Sequence, residues 1–357
     1  MVDPEALWRE ALYGPSGFFT RGEVPADHFR TAPLVGPELA EALLVLLDRV
    51  DFALGRPARL DFVDVGAGGG ELSAAVRSLA PGSSGPGSLG ARLVVTAVDV
   101  GPARSVAGVR WRSDLPSSVC GLLVGHEWLD AVPCPVVTGP LSDPWLDRWW
   151  PVREGERAEI GSPRDAAWAD AVARVVRGAA LAVDYGHVRA DRVAGRYAAG
   201  TFAAYRGGRR VEPVFDGSCD LTAHVALDAC AEAVGGEWVL VSQRDALGAL
   251  GLDGRVNPAA GPGRSSGPSP AAGVRGGTEV IGARGGTEMV GVRGGAEAGS
   301  GVRLSPAGGA AWLVAAERAS RVAELRAEGG LGSFGWLLHG VGVPVSSLLP
   351  PLPPWRP

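Results

Sequence analysis

The sequence predicts an α/β fold, a Rossmann-like doubly wound sheet that is mostly parallel, with inserted helical and hairpin elements. Short apolar runs alternate with segments of helical periodicity, which is typical of βαβ units. One apolar run, residues 60–65, ends in a glycine-rich turn that leads directly into a helical pattern. A strand, a glycine turn and a helix in this order form a common ligand site of parallel sheets.

The elements follow from this alternation. Buried strands are predicted at residues 59–65, 92–98, 119–124, 179–184 and 238–242, and helices at 36–50, 71–79, 163–177, 222–234 and 305–328. Residues 134–152 contain Trp145, Trp149 and Trp150 and are predicted to form a hairpin packed over the sheet edge.

Composition shifts predict the domain limits. Residues 1–50 form a helical element on the substrate side, and residues 51–253 form the core with the inserted hairpin 134–152. Residues 254–303 contain a nine-residue repeat beginning RGGTE or RGGAE and are predicted to be a disordered low-complexity insertion. Residues 304–343 supply a helix and a strand that complete the core, and the Pro-rich residues 344–357 form a tail.

Charge and composition exclude several classes of function. The chain has 357 residues and a net charge of −5, and its 34 basic residues are all arginine, so it lacks the basic footprint of a nucleic-acid-binding protein. No apolar stretch reaches the ~18 residues of a membrane span, and no signal peptide is evident. The four cysteines lack metal-ligand spacing and are predicted to be reduced thiols. We therefore expect a cytoplasmic protein without a metal site.

The turn VGAGGGEL contains Gly66, Gly68 and Gly70 and follows Asp64. Such turns approach nucleotide phosphates, dinucleotides or S-adenosylmethionine (SAM). Nucleoside triphosphate loops need a lysine, which this chain lacks, and dinucleotide loops have the spacing G-x-G-x-x-G. Asp64 would repel a pyrophosphate but suits the ammonium group of SAM. SAM is therefore the predicted ligand; a dinucleotide, or a glycine turn without a ligand, remains an alternative.

Two further strand ends carry acidic residues. Asp99 ends the second strand, where a carboxylate can accept hydrogen bonds from both hydroxyls of a ribose, although a simple turn residue is the alternative. Glu127 and Asp130 follow the third strand at a spacing that puts them on one face of a helical turn. We expect this pair to hold an amine nucleophile and accept its proton; a helix cap and a solvated acid are the alternatives.

Later segments add weaker candidates. Asp184 and Tyr185 close a strand just before His187, and the run Asp220-Leu221-Thr222-Ala223-His224 is predicted to open a helix. Asp220 or Thr222 then has the alternative role of an N-cap. For His224 and His187 the alternative is a buried structural imidazole.

Six motifs in order make the chain similar to the MidA family of SAM-dependent methyltransferases. They are LYGPSGFFTRG followed by HFRTAP, VDVGAGGGEL, GHEWLDAVP, AVDYG, GTFAAYR and CDLTAHV, and the resemblance covers residues 12–252 and a weaker part near Trp336. The family's mitochondrial members are complex I assembly factors with protein-arginine methyltransferase activity. The resemblance implies a seven-stranded class I methyltransferase core.

The resemblance also implies roles for individual residues. Asp64, Gly66, Gly68, Gly70, Asp99 and His126 would bind SAM; Glu127, Asp130 and His224 would act on the acceptor; and Phe19, Phe29, Thr31, Asp184, Tyr185, Asp220 and Thr222 would line or support the substrate side. The implied acceptor is a protein arginine, in a partner such as a respiratory complex subunit.

The chain departs from the family pattern at His28, Leu34, Phe18-Phe19, Ala67 and His126. Most of these positions are on the acceptor side, so a small-molecule O- or N-methyltransferase is an alternative. A SAM-binding assembly factor without catalysis is the alternative of another class. Because Glu127 and Asp130 are both present, we favour catalysis.

Overall fold

The computed structural model describes residues 4–23, 31–80, 87–253 and 306–357. The chain divides into two compact units, the first comprising Met1–Gly254 and Arg318–Pro357 and the second Arg255–Glu317. The described residues of the second unit all belong to one helix. The predicted insertion, residues 254–303, and Phe29 lie outside the described residues.

Fourteen strands are described. In chain order, they are β1 Leu60–Val65, β2 Leu93–Val98, β3 Val109–Arg112, β4 Val119–His126, β5 Val136–Thr138, β6 Arg157–Glu159, β7 Val175–Asp184, β8 Gly186–His187, β9 Ala203–Arg206, β10 Arg209–Val211, β11 Asp220–Thr222, β12 Val225–Ala226, β13 Glu237–Ser242 and β14 Gly335–Val341.

The α-helices among the described residues are α1 Pro4–Tyr13, α2 Ala32–Val35, α3 Glu38–Ala53, α4 Glu71–Leu79, α5 Leu89–Arg92, α6 Pro144–Trp149, α7 Ser162–Ala173, α8 Arg189–Val193, α9 Leu227–Val234, α10 Gln243–Ala249 and α11 Pro306–Leu325. Short 3₁₀ turns span Leu331–Ser333 and Val345–Ser347. None of the helices in the described ranges is long and apolar enough to cross a membrane.

Seven strands form the central sheet in the order β13-β14-β7-β4-β1-β2-β3. The pairs β1–β2, β1–β4, β2–β3 and β4–β7 are parallel, whereas β14 is antiparallel to both of its neighbours. The predicted doubly wound, mostly parallel seven-stranded fold is confirmed. Strand order reverses between β1 and β4, so a crevice forms at the carboxyl ends of these two strands.

Helices cover both faces of the sheet because successive residues of each central strand, which point to opposite faces, are mostly apolar. Leu60 and Phe62 of β1 pack in one core cluster with α3, α4 and α10. Val63 and Val65 point to the opposite face and pack in a second cluster with α7 and α9. A strand buried on both faces reads as a continuous apolar run, which is why the sequence predicted it.

The predicted helix 71–79 is exact, but several other predicted elements are wrong in extent, including the strand predicted at 179–184, which begins at Val175. The helix predicted at 163–177 ends at Ala173, and β7 begins two residues later. The helix predicted at 222–234 begins only at Leu227, because Asp220–Thr222 pairs with β9 instead. Apolar residues continue across each of these boundaries, so periodicity alone did not reveal them.

The hairpin predicted at 134–152 is also wrong in extent. Its first strand, β5, pairs with β6, which lies beyond the predicted segment. Helix α6 lies between the two strands and is capped by the preceding residue, Asp143, whose carboxylate accepts the N–H groups of Trp145 and Leu146. Trp150 is buried in a small cluster with Leu146, as expected for packing.

A smaller layer carries the N-terminal helix. Trp8 and Leu12 of α1 are buried against Leu221 and Ala204 of the three-stranded sheet β10-β9-β11. The Trp8 indole N–H donates to the carbonyl of Leu221 at 3.2 Å. These contacts hold the segment containing Phe19 beside the crevice.

Two glycines allow the three central strands to lie at their observed spacing. Gly121 of β4 pairs with Asp61 of β1 and with Gly178 of β7, and both glycines have positive φ, +148° and +132°. A Cβ on Gly121 would lie 2.0 Å from the carbonyl oxygen of Asp61. This close approach is between backbone atoms and cannot be relieved by a side chain.

We therefore expect Gly121→Ala to lower the free energy of unfolding by roughly 3 kcal/mol, from backbone strain and overpacking together. Gly55→Ala is the matched control, since Gly55 also has positive φ (+75°) but no atom within 4 Å of its Cβ position. Urea unfolding followed by circular dichroism measures both changes. Equal losses in the two variants would contradict the proposed backbone clash.

Candidate active site

Three adjacent parallel strands end side by side. Asp64 of β1 is in register with Val124 of β4, and His126 of β4 is in register with Val183 of β7. The segments that follow, the glycine loop, Glu127 and Tyr185, therefore lie along one edge of the sheet.

The glycine loop has a left-handed backbone at Gly66, Gly68 and Gly70, with φ of +72°, +56° and +86°. A Cβ on Gly66 would lie 3.1 Å from the Trp128 side chain, and one on Gly70 would lie 3.0 Å from that of Trp111. Only glycine combines this conformation with such close packing.

Asp99 supports this loop. Its Oδ2 accepts the N–H of Gly68 at 2.8 Å, and its Oδ1 accepts the N–H of Gly101 at 2.7 Å. Burial raises the pKa of Asp99, while the two N–H groups act in the opposite direction. Asp99, which is predicted to bind a ribose, thus follows the end of β2 and also binds the backbone of the glycine loop.

Two cavities of about 430 and 440 Å³ open at this edge and share Phe19, Gly66, Gly68, Glu127 and Ala131. Twelve predicted site residues line the first cavity: Phe19, Thr31, Asp64, Gly66, Gly68, His126, Glu127, Asp130, Tyr185, Asp220, Thr222 and His224. Asp99 lines the second cavity with Asp114 and Leu115. Gly70 and Asp184 lie behind the walls.

Asp64 is buried, with 2% of its surface exposed. Its Oδ2 accepts the hydroxyl of Ser73 at 2.8 Å. Burial raises the pKa of Asp64 to about 7, against the effect of the Ser73 hydrogen bond. A cationic group in the cavity would stabilise the ionised form.

Glu127 and Asp130 are close together, but the predicted helical turn between them is wrong. Glu127 has φ of +49°, and its N–H donates to the carbonyl of Val183 at 2.8 Å. Oδ2 of Asp184 accepts the N–H groups of Leu129 and Asp130 at 3.1 and 3.2 Å. The loop is thus shaped by β7, which the local sequence could not indicate.

Asp130 belongs to a hydroxyl network. Its Oδ2 accepts hydrogen bonds from Thr222 Oγ1, at 2.7 Å, and from the hydroxyl of Tyr185, which also contacts Thr222 Oγ1. Thr222 and its neighbour Asp220 are on β11, not at a helix start, so the N-cap alternative is wrong. The network orients one carboxylate oxygen of Asp130.

Several carboxylate oxygens in this region have no hydrogen-bond partner among the described residues. They are Oε1 of Glu127, Oδ1 of Asp130, Oδ1 of Asp220 and, behind the wall, Oδ1 of Asp184. Burial and the charge of Asp130 raise the pKa of Glu127 to about 8, although the N–H of Ala32 lowers it. The pKa values of Asp184 and Asp220 are raised for the same two reasons. The first cavity therefore has an acidic wall with carboxyl oxygens that no described residue pairs.

The nearby histidines do not compensate this charge. Burial lowers the pKa of His126 to about 4, so the 3.4 Å approach of its Nδ1 to Glu127 Oε1 is not an ion pair. Burial, with Arg164 and Arg210, also lowers the pKa of His224 to about 4. A neutral His224 packs edge-on against the ring of Tyr185, with centroids 5.2 Å apart.

Sequence reasoning missed Tyr205, Leu331 and Phe334 in the first cavity and Trp128 in the second. Leu331 and Phe334 immediately precede β14. Because β14 is antiparallel to β7, its first residue pairs with Asp184, at the crevice. If the antiparallel direction of β14 had been known, it would have placed these two residues at the crevice. No local sequence pattern shows the direction of a strand.

Comparisons with known proteins agree with this architecture. A family model described as "Putative S-adenosyl-L-methionine-dependent methyltransferase" matches residues 135–242. A COG1565 superfamily member from Burkholderia thailandensis, crystallised with S-adenosyl-homocysteine, is similar in fold, with a TM-score of 0.66 and 20% identity over 96% of this chain and 88% of that chain.

A native crystal structure of a COG1565 superfamily protein from the same organism has a TM-score of 0.65 and 21% identity over the same shares of the two chains. At these identities the likeness shows a common fold. No curated protein matches the chain.

The raised pKa of Glu127 predicts how stability depends on pH. Between its ordinary pKa, about 4.3, and about 8 the folded protein holds a proton that the unfolded chain has lost, so stability falls as pH rises. Asp64, Asp184 and Asp220 act in the same direction. The buried neutral histidines oppose this trend only below about pH 6.5.

We therefore expect the free energy of unfolding to decrease from pH 6.5 to 8.5, by at most about 1.4 kcal/mol per pH unit for each group. Glu127→Gln should reduce the slope, whereas Glu212→Gln, which removes an exposed carboxylate, should leave it unchanged. Urea titrations at four pH values measure the slopes. A Glu127→Gln slope equal to wild type would show that this carboxyl is ionised throughout.

Proposed function

We propose that this protein is a SAM-dependent methyltransferase whose acceptor is a protein arginine side chain. The observation that carries the proposal is the wall of unpartnered carboxylate oxygens, from Glu127, Asp130 and Asp220, in a cavity that adjoins the left-handed glycine loop. The family match, the fold comparison and the S-adenosyl-homocysteine bound to the related protein support the cofactor.

The residues present fit SAM. Gly66 and Gly68 line both cavities without side chains of their own, so the loop backbone can approach a ligand, and the buried carboxyl of Asp64 suits an ammonium group. Asp99 would bind the ribose hydroxyls from the second cavity, and His126 would line the cofactor side of the first. When bound, SAM supplies a methyl group activated by its sulfonium charge.

An arginine side chain fits the acidic wall by charge and by donor count. A guanidinium carries five N–H donors and a positive charge, and the wall offers unpartnered oxygens of Glu127, Asp130 and Asp220. Binding would pair oxygens that otherwise remain buried and unsatisfied, which is costly. It would also favour the ionised forms of the acids whose pKa is raised in the free protein.

Catalysis by this chain would consist of orientation and proton removal. Guanidinium is a poor nucleophile because its pKa exceeds about 12. Asp130, oriented by Tyr185 and Thr222, would localise the acceptor's charge on one side. Glu127 would accept the proton that the acceptor nitrogen loses. The unprotonated ring nitrogen of neutral His224 would accept a hydrogen bond from the bound guanidinium.

The resemblance to the MidA family supports a protein substrate, such as a respiratory complex subunit. A small cationic amine is the second candidate acceptor. Its supporting observation is the aromatic lining of the first cavity by Phe19, Tyr185, Tyr205 and Phe334, since aromatic faces attract compact cations.

Calorimetric titration tests the cofactor. We expect wild-type protein to bind SAM and S-adenosylhomocysteine with micromolar Kd, and Gly68→Arg to lose binding because the side chain would fill the shared edge of the two cavities. Gly55→Arg is the matched control, another left-handed glycine with open space around it. Absence of binding to folded wild-type protein would refute the proposal.

Methylation of arginine-containing peptides with labelled SAM tests the acceptor and the base. We expect Glu127→Gln to lower the rate at least ~100-fold, the usual contribution of a general base, with the S-adenosylhomocysteine Kd within ~3-fold of wild type. Glu212→Gln should retain the wild-type rate. Labelling of small amines but not of peptides would favour the second candidate.

If wild-type protein binds SAM but labels neither class, and Glu127→Gln leaves cellular function intact, the non-catalytic assembly factor is correct.

A further inference from the structure

Arg164, in the first turn of α7, lies directly behind the acidic wall. Only 2% of its surface is exposed. Its guanidinium donates hydrogen bonds to four backbone carbonyls, those of Asp130, Val132, Ala223 and His224, at 2.7, 3.0, 3.0 and 2.8 Å.

Burial of the Arg164 guanidinium carries a desolvation cost that lowers the stability of the fold. The hydrogen bonds of Arg164 to the described residues all go to backbone carbonyls and none to a carboxylate, and a cation in the first turn of a helix opposes the helix dipole. Burial acts to lower the pKa of Arg164, but the nearby acidic groups of Cys134, Asp130 and Glu159 raise it by more, so the guanidinium remains charged. If this position served packing only, an apolar residue of similar volume would be sufficient.

The four carbonyls belong to two loops that are distant in sequence. Asp130 and Val132 are in the loop after β4, and Ala223 and His224 connect β11 to β12. The first loop carries Glu127 and Asp130, and the second carries His224. The side chains of all three residues line the first cavity. Apart from the guanidinium, the N–H of Ala223 also joins them, by a bond to the carbonyl of Asp130 at 3.2 Å.

We propose that Arg164 is a positioning residue for the methyl acceptor: it fixes the two loops against each other, so that Asp130 and His224 face the same bound group. The role rests on the proposed function. Arg164 acts through backbone carbonyls and contacts neither SAM nor acceptor. It therefore governs the rate of methyl transfer and not cofactor affinity.

Arg164→Lys keeps the charge but cannot reach four carbonyls in a plane. We expect kcat on an arginine peptide to fall at least ~10-fold, because small misplacements of reacting groups are costly, while the KM for SAM stays within ~3-fold. The matched control is Arg192→Lys, which alters another buried arginine, bound to the carbonyls of Trp149 and His187 and to Asp228.

Assays are made below the melting temperatures of both variants. Arg192→Lys should lose thermal stability and keep wild-type kcat. If Arg164→Lys loses stability but keeps kcat as well, Arg164 is only structural and the proposal is overturned.

Amide hydrogen exchange of wild type and of Arg164→Lys gives a readout independent of activity. In low urea, the wild-type amides of Leu129, Asp130 and Ala223 should exchange through one shared opening with one free energy, and Arg164→Lys should separate the openings of the two loops. Independent openings in wild type, or a shared opening that Arg164→Lys leaves unchanged, would overturn the proposal. Absence of any methylation by wild type would instead refute the proposed function, and the comparison of the two exchange profiles would still show whether Arg164 couples the loops.

Discussion

The parallel pairing of β4 with both β1 and β7 is the constraint on which the candidate site depends. It brings three strand ends, remote in sequence, to one edge of the sheet in fixed register. The pairing itself depends on Gly121 and Gly178, where the backbones approach more closely than any side chain would permit. Because each strand is buried on both faces, a register shift of one residue would move its side chains from one core cluster to the other and disrupt the packing of both.

The edge so formed concentrates negative charge. Glu127, Asp130, Asp184 and Asp220 come together although like charges repel, and burial adds a desolvation cost. Raised pKa values moderate this cost in the free protein, because protonated carboxyls carry no charge. The histidines are neutral and do not neutralise the wall. Buried acidic clusters with raised pKa values concentrate at functional sites, which is why the wall carries more weight than the glycine turn.

Arg164 and Asp184 show how the site is held from behind. The guanidinium binds carbonyls of two loops, and the Asp184 carboxylate binds two N–H groups of one of them. Charged side chains thus fix backbone, which in turn fixes the residues that face the cavity. The side chains on the cavity side then keep free oxygens for a ligand.

Prediction from sequence worked where a pattern is local. The turn VGAGGGEL, the helix from Glu71 to Leu79 and the core strands follow from glycine chemistry and apolar runs. The closeness of Glu127 and Asp130 was expected for the wrong reason, since no helix joins them; β7 shapes their loop. Asp220 and Thr222 were expected at a helix start, but their segment pairs with β9 because backbone partners from a distant strand outweigh helical propensity.

By itself the sequence determined the fold class, the glycine loop, Asp64 and Asp99, and the acids that follow the strands. Each of these features depends on a short run of consecutive residues. Only the tertiary structure decided which of these residues share a cavity, that Phe334 joins them through the antiparallel β14, and that Arg164 stands behind them. Such contacts depend on strand order and direction, and these are settled by packing between segments that no local pattern connects.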